Sequence, residues 1–249
     1  MIRIAMWSGP RNISTAMMRS WGSRADTFVT DEPFYAHYLT QVDVDHPGKA
    51  EVLASQDQQW EPVAEWLTEA EPEGKQIWYQ KHMAQHYLPQ MQGAWFEQLR
   101  HAFLLRDPRA VVASFSKVVT EPELKDTGFP QLLDLYRRAA DLTGSAPAVV
   151  DSAAILRNPK AMLQQLCERL AVPFDEAMLS WAPGPRDTDG VWAKYWYHAV
   201  EGSTGFQPYQ ERQIELPARL ERVYEECIPY YEELSAFQIT VPEGSSAVH

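Results

Sequence analysis

Apolar positions along the chain fall into short continuous runs separated by stretches with helical spacing. Ile2, Ile4 and Met6 occupy every second position with Ala5 and Trp7 between them, so the first segment is apolar on both faces and predicts a buried strand. Ser8-Gly9-Pro10 ends it, because Pro10 has no N–H for a ladder and Gly9 allows a sharp turn. From Ser14 the period lengthens. Ala16, Met17 and Trp21, set among polar Arg19, Ser20 and Arg24, predict an amphipathic helix with Ser14 or Thr15 at its N-terminal end.

The same reading predicts further strands over 27–30, 75–81, 101–106 and 148–151. Helices are expected over 61–70, 88–99, from Asp107-Pro108 through Phe115, from Asn158-Pro159 through Leu170, around 177–181 and over 217–234. Residues 38–50 read as polar and irregular. Alternating strands and helices imply an α/β fold with a mostly parallel sheet, and ligands in such sheets bind beyond the carboxyl ends of the strands. No break in the pattern divides the chain, so a single domain is expected over 1–241, with 242–249 a disordered tail.

Composition narrows the function classes. A chain of 249 residues and 28.5 kDa can bury a large core. A net charge of −12 argues against nucleic acid and polyanionic partners. No apolar run reaches membrane-spanning length, and the first strand is too short for a signal-peptide core, so a cytoplasmic protein without a membrane partner is expected. The only cysteines, Cys167 and Cys227, supply neither a disulfide framework nor a thiolate cage. His37, His46, His82 and His86 are scattered, so no metal site is expected. Composition leaves the oligomeric state open.

A strand, a tight polar loop and a helix N-terminus make an anion site, because the first N–H groups of a helix lack intrahelical partners. Arg11 adds a planar cationic fork, and Ser14 and Thr15 add hydroxyl donors. The loop has neither the lysine nor the second glycine of a Walker A motif. Pro10, Arg11, Ser14 and Thr15 instead match the P-[KR]-S-G-[ST]-T loop of the sulfotransferase superfamily, which the chain resembles. Asn12 and Ile13 stand where that pattern has Ser and Gly. Ile13 could not follow a backbone path of positive φ without strain.

A second stretch resembles the same superfamily. Arg106, Pro108 and Ser114 reproduce its 3′-phosphate motif, R-x-P-x-x-x-x-x-S. Asn158-Pro159, Leu163, Leu166, Cys167, Leu170, Val172 and Pro173-Phe174 are similar to its late strand–helix segment, with Asp151-Ser152 in place of the usual acidic pair. Residues 201–206, with Ser203, Thr204 and Gly205, are similar in position to the loop that closes over the cofactor.

The resemblance implies a P-loop-type three-layer fold, with a central sheet flanked by helices. It implies a donor, 3′-phosphoadenosine 5′-phosphosulfate, released as 3′,5′-ADP without a metal, and a hydroxyl or amine of a small molecule as acceptor. Residues 10–15 would hold the phosphosulfate together with Arg11, which would offset charge on the leaving oxygen. Arg106 and Ser114 would read the 3′ phosphate. Glu32 and His82 are equal candidates for the base, with His86 behind them. Apart from the resemblance, a pocket lined by Phe34, Tyr35, Tyr38 and the tryptophans near Tyr195 would suit a small apolar or aromatic alcohol. Two alternatives stay open: a binder that has kept the phosphate sites without catalysis, and a small-molecule kinase.

Overall fold

The computed structural model describes residues 1–43, 46–119 and 121–241. Five strands form one sheet: β1 (Ile2–Ser8), β2 (Thr27–Asp31), β3 (Ile77–Met83), β4 (Arg100–Leu105) and β5 (Ala148–Asp151), in the order β2-β3-β1-β4-β5 with every pairing parallel. The helices in chain order are α1 (Ser14–Gly22), α2 (Tyr35–Gln41), α3 (Lys49–Ser55), α4 (Trp60–Glu69), α5 (Pro108–Phe115) and α6 (Leu124–Thr127). They continue with α7 (Phe129–Thr143), α8 (Ser152–Arg157), α9 (Pro159–Arg169), α10 (Ala193–Trp196), α11 (His198–Glu201) and α12 (Ala218–Ser235).

The strands alternate their side chains between two helical layers. Ile4 and Met6 of β1 face a core built with Met17 and Trp21 of α1 and Met162, Leu163 and Leu166 of α9. Ala5 and Trp7 face the opposite core, with Val63, Ala64 and Leu67 of α4 and Leu132, Leu135 and Ala139 of α7. A third cluster joins Val111 and Val112 of α5 to Leu220, Val223 and Cys227 of α12. The result is the α/β fold with a parallel sheet expected from the alternation, in the three layers that the resemblance implies.

Because β3 and β4 flank β1 on opposite sides, the loops after β1 and β4 leave side by side at the carboxyl edge. That is where open α/β sheets bind ligands. Gly9 makes this junction tight: a Cβ there would lie 2.6 Å from the carbonyl oxygen of Thr127, so no larger residue fits against α6.

Several expected elements differ. Residues 88–99 are not a helix; Pro89 and Gly93 interrupt the run, and only Phe96–Gln98 forms a 3-10 turn. Residues 38–50 hold the end of α2 and the start of α3, with Gly48 at φ 75° opening the second helix. The segment near 177–181 is a 3-10 turn, Glu176–Leu179. The tail 242–249 lies outside the described residues.

Candidate active site

A cleft of about 910 Å³ opens at the carboxyl edge of the sheet. Its walls include Pro10, Arg11, Asn12, Ile13, Ser14 and Thr15 from the loop after β1, and Arg106 and Ser114 from the unit after β4. Glu32 after β2, and Lys81 and His86 at the end of β3, stand in its other half. Residues from four strand ends therefore share one cavity.

The loop after β1 is strained where it matters. Arg11 adopts φ 57° and Glu32 φ 41°, so two of the three non-glycine residues at positive φ among the described residues face the cleft. Such conformations cost about 1–3 kcal/mol each and persist when surrounding bonds over-determine them. Arg106 donates to the carbonyl oxygen of Arg11, and Arg11 Nε donates to Ser114 Oγ at 3.0 Å. Positive φ thus falls on Arg11, while Ile13 sits at φ −88°, a value open to a branched residue.

Asn12 braces the same loop. Its Nδ2 donates to the carbonyl oxygen of Leu104 in β4 at 2.9 Å, and its Oδ1 accepts from Ile13 N at 2.8 Å. Asn12 lines the cleft, yet it spends both ends of its amide on the chain itself. Among the described residues no side chain caps α1, whose first residues Ser14, Thr15 and Ala16 line the cleft, so the N–H groups of its first turn are unclaimed by a side-chain acceptor. With Arg11 and Arg106, they make this half of the cleft electropositive. Burial, and then the adjacent charge of Arg11, push the Arg106 guanidinium below its ordinary value. An anion between the two arginines would relieve that repulsion.

The other half is built around a buried ion cluster. Lys81 Nζ donates to Asp31 Oδ1 at 2.8 Å, Glu32 Oε1 at 2.5 Å and Tyr197 OH at 2.8 Å, with its side chain 1% exposed. Asp31 also accepts from Tyr197 OH at 2.7 Å and Gly190 N at 3.1 Å. Burial alone would lower the Lys81 pKa, but the two facing carboxylates hold it well above the usual lysine value, so the ammonium stays charged. Glu32 is left with Oε2 toward His86, whose Nδ1 is 3.9 Å away. That nitrogen is buried and has no hydrogen-bond partner among the described residues.

His82 does not reach this site. Successive strand residues face opposite sides of the sheet, so Lys81 enters the cleft and His82 enters the core. There it stacks on Trp7 at 4.4 Å and Phe34 at 5.6 Å, and Nε2 pairs with Gln80 Oε1 at 3.1 Å. Burial holds its pKa well below the ordinary histidine value. The expectation that His82 and Glu32 face one cleft is therefore corrected; Glu32 and His86 do. Phe34 is likewise core, 1% exposed, whereas Tyr35 and Tyr38 line the cleft.

The segment near 203 divides. Ser203 and Gly205 line the cleft, while Thr204 is exposed outside it. Ser203 Oγ accepts from Trp181 Nε1 at 3.0 Å and donates to the carbonyl oxygen of Val200 at 2.7 Å. Asp151, in place of the acidic pair, caps α8 through Ala154 N at 3.0 Å.

A sequence profile described as the sulfotransferase domain matches residues 2–237. The chain belongs to the sulfotransferase family. Within that family frame, two curated proteins of Arabidopsis thaliana, named branched-chain-amino-acid aminotransferase-like protein 2 and protein 1, are 33% and 34% identical to it over 228 residues. The match takes in 92% of this chain but only 40% of each relative, so the chain spans about two fifths of their length. A solved sulfotransferase from Alicyclobacillus acidocaldarius superposes with a TM-score of 0.53 at 12% identity, covering 95% of both chains, and so shares the fold.

Lys81, Asp31 and Tyr197 join the site through the fold, without a motif in the sequence that names them. One signal was present. Residues 77–83 are apolar enough to be buried, and a lysine inside such a strand needs carboxylate partners. Asp31 lies beside Lys81 in the strand register, and Glu32 follows it.

Proposed function

We propose that this sulfotransferase domain moves a sulfuryl group from 3′-phosphoadenosine 5′-phosphosulfate to a hydroxyl or amine of a small molecule. One observation carries the reading: Arg11, Arg106, Ser114 and the uncapped N-terminus of α1 converge in the cleft that also holds Glu32. This donor set suits a ligand that carries more than one anionic group.

Residues 10–15 and the first turn of α1 bind the phosphosulfate, Arg106 and Ser114 bind the 3′ phosphate, and Ser203 and Gly205 cover the nucleotide. When bound, the donor supplies an activated sulfuryl group. Arg11 keeps its terminal guanidinium nitrogens for the oxygen on which charge develops, since its bond to Ser114 uses Nε. Glu32 Oε2 takes the proton from the acceptor, while Lys81 fixes Oε1 and so sets the direction of the carboxylate. The acceptor oxygen forms its bond to sulfur as the sulfur–oxygen bond to the phosphate breaks, and the proton stays on Glu32 until solvent removes it.

The names of the plant relatives do not favour transamination here. A pyridoxal Schiff base needs a lysine amine that can lose its proton. Lys81 has three hydrogen-bond acceptors and a raised pKa. Isothermal titration tests the donor assignment: 3′,5′-ADP should bind, with ATP and 5′-AMP much weaker. Preference for ATP would favour the kinase instead.

A further inference from the structure

Glu32 follows β2 at φ 41°, a conformation that residues with a side chain rarely adopt, and it faces the cleft. Such a residue stays in place only where its surroundings hold it. Its N–H donates to the carbonyl oxygen of Lys81 at 2.9 Å, and its own carbonyl accepts from Tyr35 N at 3.1 Å. A further bond comes from a side chain outside the cleft. Gln56, at the C-terminal end of α3, donates from Nε2 to the Glu32 carbonyl oxygen at 3.1 Å and accepts from Ala36 N through Oε1 at 3.0 Å. The Ala36 N–H requires the oxygen end of that amide, so the NH₂ end has to face Glu32.

The carboxylate of Glu32 is held from the opposite side. Lys81 spends its three ammonium protons on three acceptors, Asp31 Oδ1, Glu32 Oε1 and Tyr197 OH, which fixes the orientation of the ammonium. The Tyr197 hydroxyl places its own proton on Asp31 Oδ2 at 2.7 Å and accepts from Trp192 Nε1 at 3.2 Å. The segment that carries it is anchored in turn. Gly190 N donates to Asp31 Oδ2 at 3.1 Å, and Asp189 forms a buried ion pair with Arg19 of α1 at 2.5 Å. Without the Tyr197 hydroxyl, Lys81 would have a proton with no acceptor and Asp31 one donor fewer. Both changes draw the ammonium toward Asp31 and away from Glu32.

We propose that Tyr197 and Gln56 are positioning residues for Glu32: Tyr197 directs its carboxylate through Lys81, and Gln56 holds its strained backbone. This rests on the sulfuryl-transfer reading for the role of Glu32 as base, while the placement of Glu32 stands apart from that reading. Asp31 lets the arrangement survive a change of charge. When Glu32 takes a proton, Lys81 keeps Asp31 as its counter-ion, so the buried ammonium is never left alone. Glu32 can thus be charged or neutral during a turnover without releasing Lys81.

Two near-isosteric variants test it. Tyr197→Phe removes only the hydroxyl, and Gln56→Glu keeps an oxygen for Ala36 N but sets a carboxylate oxygen against the Glu32 carbonyl. Tyr195→Phe is the control, because that hydroxyl bonds Glu51 at 3.3 Å on the exposed side of the same segment. Both positioning variants should lower kcat by about 10–10²-fold, the scale of a misplaced catalytic group, with 3′,5′-ADP affinity unchanged. Tyr195→Phe should match the wild type. In a Glu32→Gln background both losses should disappear, since nothing is left to position. Losses of equal size in that background, or wild-type kcat in either variant, would overturn the proposal. The carboxyl-carbon resonance of Glu32 in isotope-labelled protein, assigned by its loss in Glu32→Gln, gives a readout free of turnover. It should shift or broaden in both positioning variants and stay in place in Tyr195→Phe; an unmoved resonance would also overturn the proposal. Gln56→Glu, at a half-buried helix end, carries the test if Tyr197→Phe does not fold. If the wild type transfers no sulfate while the resonance responds as expected, the sulfuryl-transfer reading falls and the positioning assignment stands.

Discussion

Arg11 donates from Nε to Ser114 Oγ across 3.0 Å, and this bond joins the loop after β1 to the helix after β4. The two stretches singled out in the sequence as separate phosphate sites are thus one built unit. Arg106 completes it by donating to the carbonyl oxygen of Arg11. The arrangement holds a strained loop in place before any ligand arrives, which lowers the cost of ordering it on binding.

In the proposed donor site Arg106 would have two contributions, and the ligand pair 3′,5′-ADP and 5′-AMP separates them. Arg106→Ala should weaken 3′,5′-ADP by about 1.5–3 kcal/mol, the scale of charged hydrogen bonds. Binding of 5′-AMP, which lacks the 3′ phosphate, should fall by less, through the loosened loop alone. Isothermal titration of both ligands measures this. Equal losses would leave Arg106 as a loop brace only.

Arg11 should matter more for rate than for affinity. Arg11→Ala is expected to lower kcat more than it weakens 3′,5′-ADP, because charge on the leaving oxygen develops only in the transition state. Arg11→Lys should retain part of the rate, keeping the charge and losing the Nε bond to Ser114. Steady-state kinetics beside titration checks it; near-normal turnover in the alanine variant would make Arg11 structural.

Lys81 holds the carboxylate half of the cleft together. Lys81→Met leaves Asp31 and Glu32 buried without their cation, and should cost about 3–5 kcal/mol in chemical denaturation. The double variant Asp31→Asn/Lys81→Met should lose less than the single one, since it strands one carboxylate fewer. A single variant of wild-type stability would contradict the cluster.

Three histidines make stability depend on pH. Burial holds His82 and His86 well below the ordinary value of 6.5 and brings His101 to about 4. His101 shows why: its Nε2–H donates to the carbonyl oxygen of Phe96 at 2.8 Å, and Nδ1 accepts from Trp7 Nε1 at 3.0 Å, so a proton on Nδ1 would face another donor. The folded chain keeps these rings neutral while the unfolded chain protonates them. Their contribution is therefore full above about pH 6.5 and is lost as pH falls toward 4, each ring adding up to about 1.4 kcal/mol per pH unit. The thermal midpoint should drop from pH 7.5 to 5; a flat profile would contradict the buried neutral rings.

The strands were legible because buried parallel strands read as continuous apolar runs, as Ile2 to Trp7 and Phe103 to Leu105 do. Helix α7 has no clear start signal in the sequence. Gly128 and Pro130 mark breaks in a sequence, yet here Gly128 takes φ 77° just before the helix and Pro130 sits in its first turn. In the cleft, the stretches 10–15 and 106–114 stand out in the sequence because each lies within one strand–helix unit. The Lys81 cluster depends on β2 lying beside β3, and the choice between His82 and His86 depends on which face of β3 each side chain takes. Pairing and facing are set by packing across the sheet, which no local pattern encodes.

Sulfuryl transfer itself is tested most directly by following product and 3′,5′-ADP together. The wild-type protein and Glu32→Gln are each given 3′-phosphoadenosine 5′-phosphosulfate and a panel of hydroxyl and amine acceptors. The wild type should form a sulfated acceptor and release one 3′,5′-ADP for each, while Glu32→Gln should be slower by about 10²–10⁴-fold, the scale of general-base catalysis, with nucleotide affinity unchanged. A wild-type protein that binds 3′,5′-ADP but sulfates no member of the panel would contradict the account and leave a nucleotide-binding protein without transfer activity.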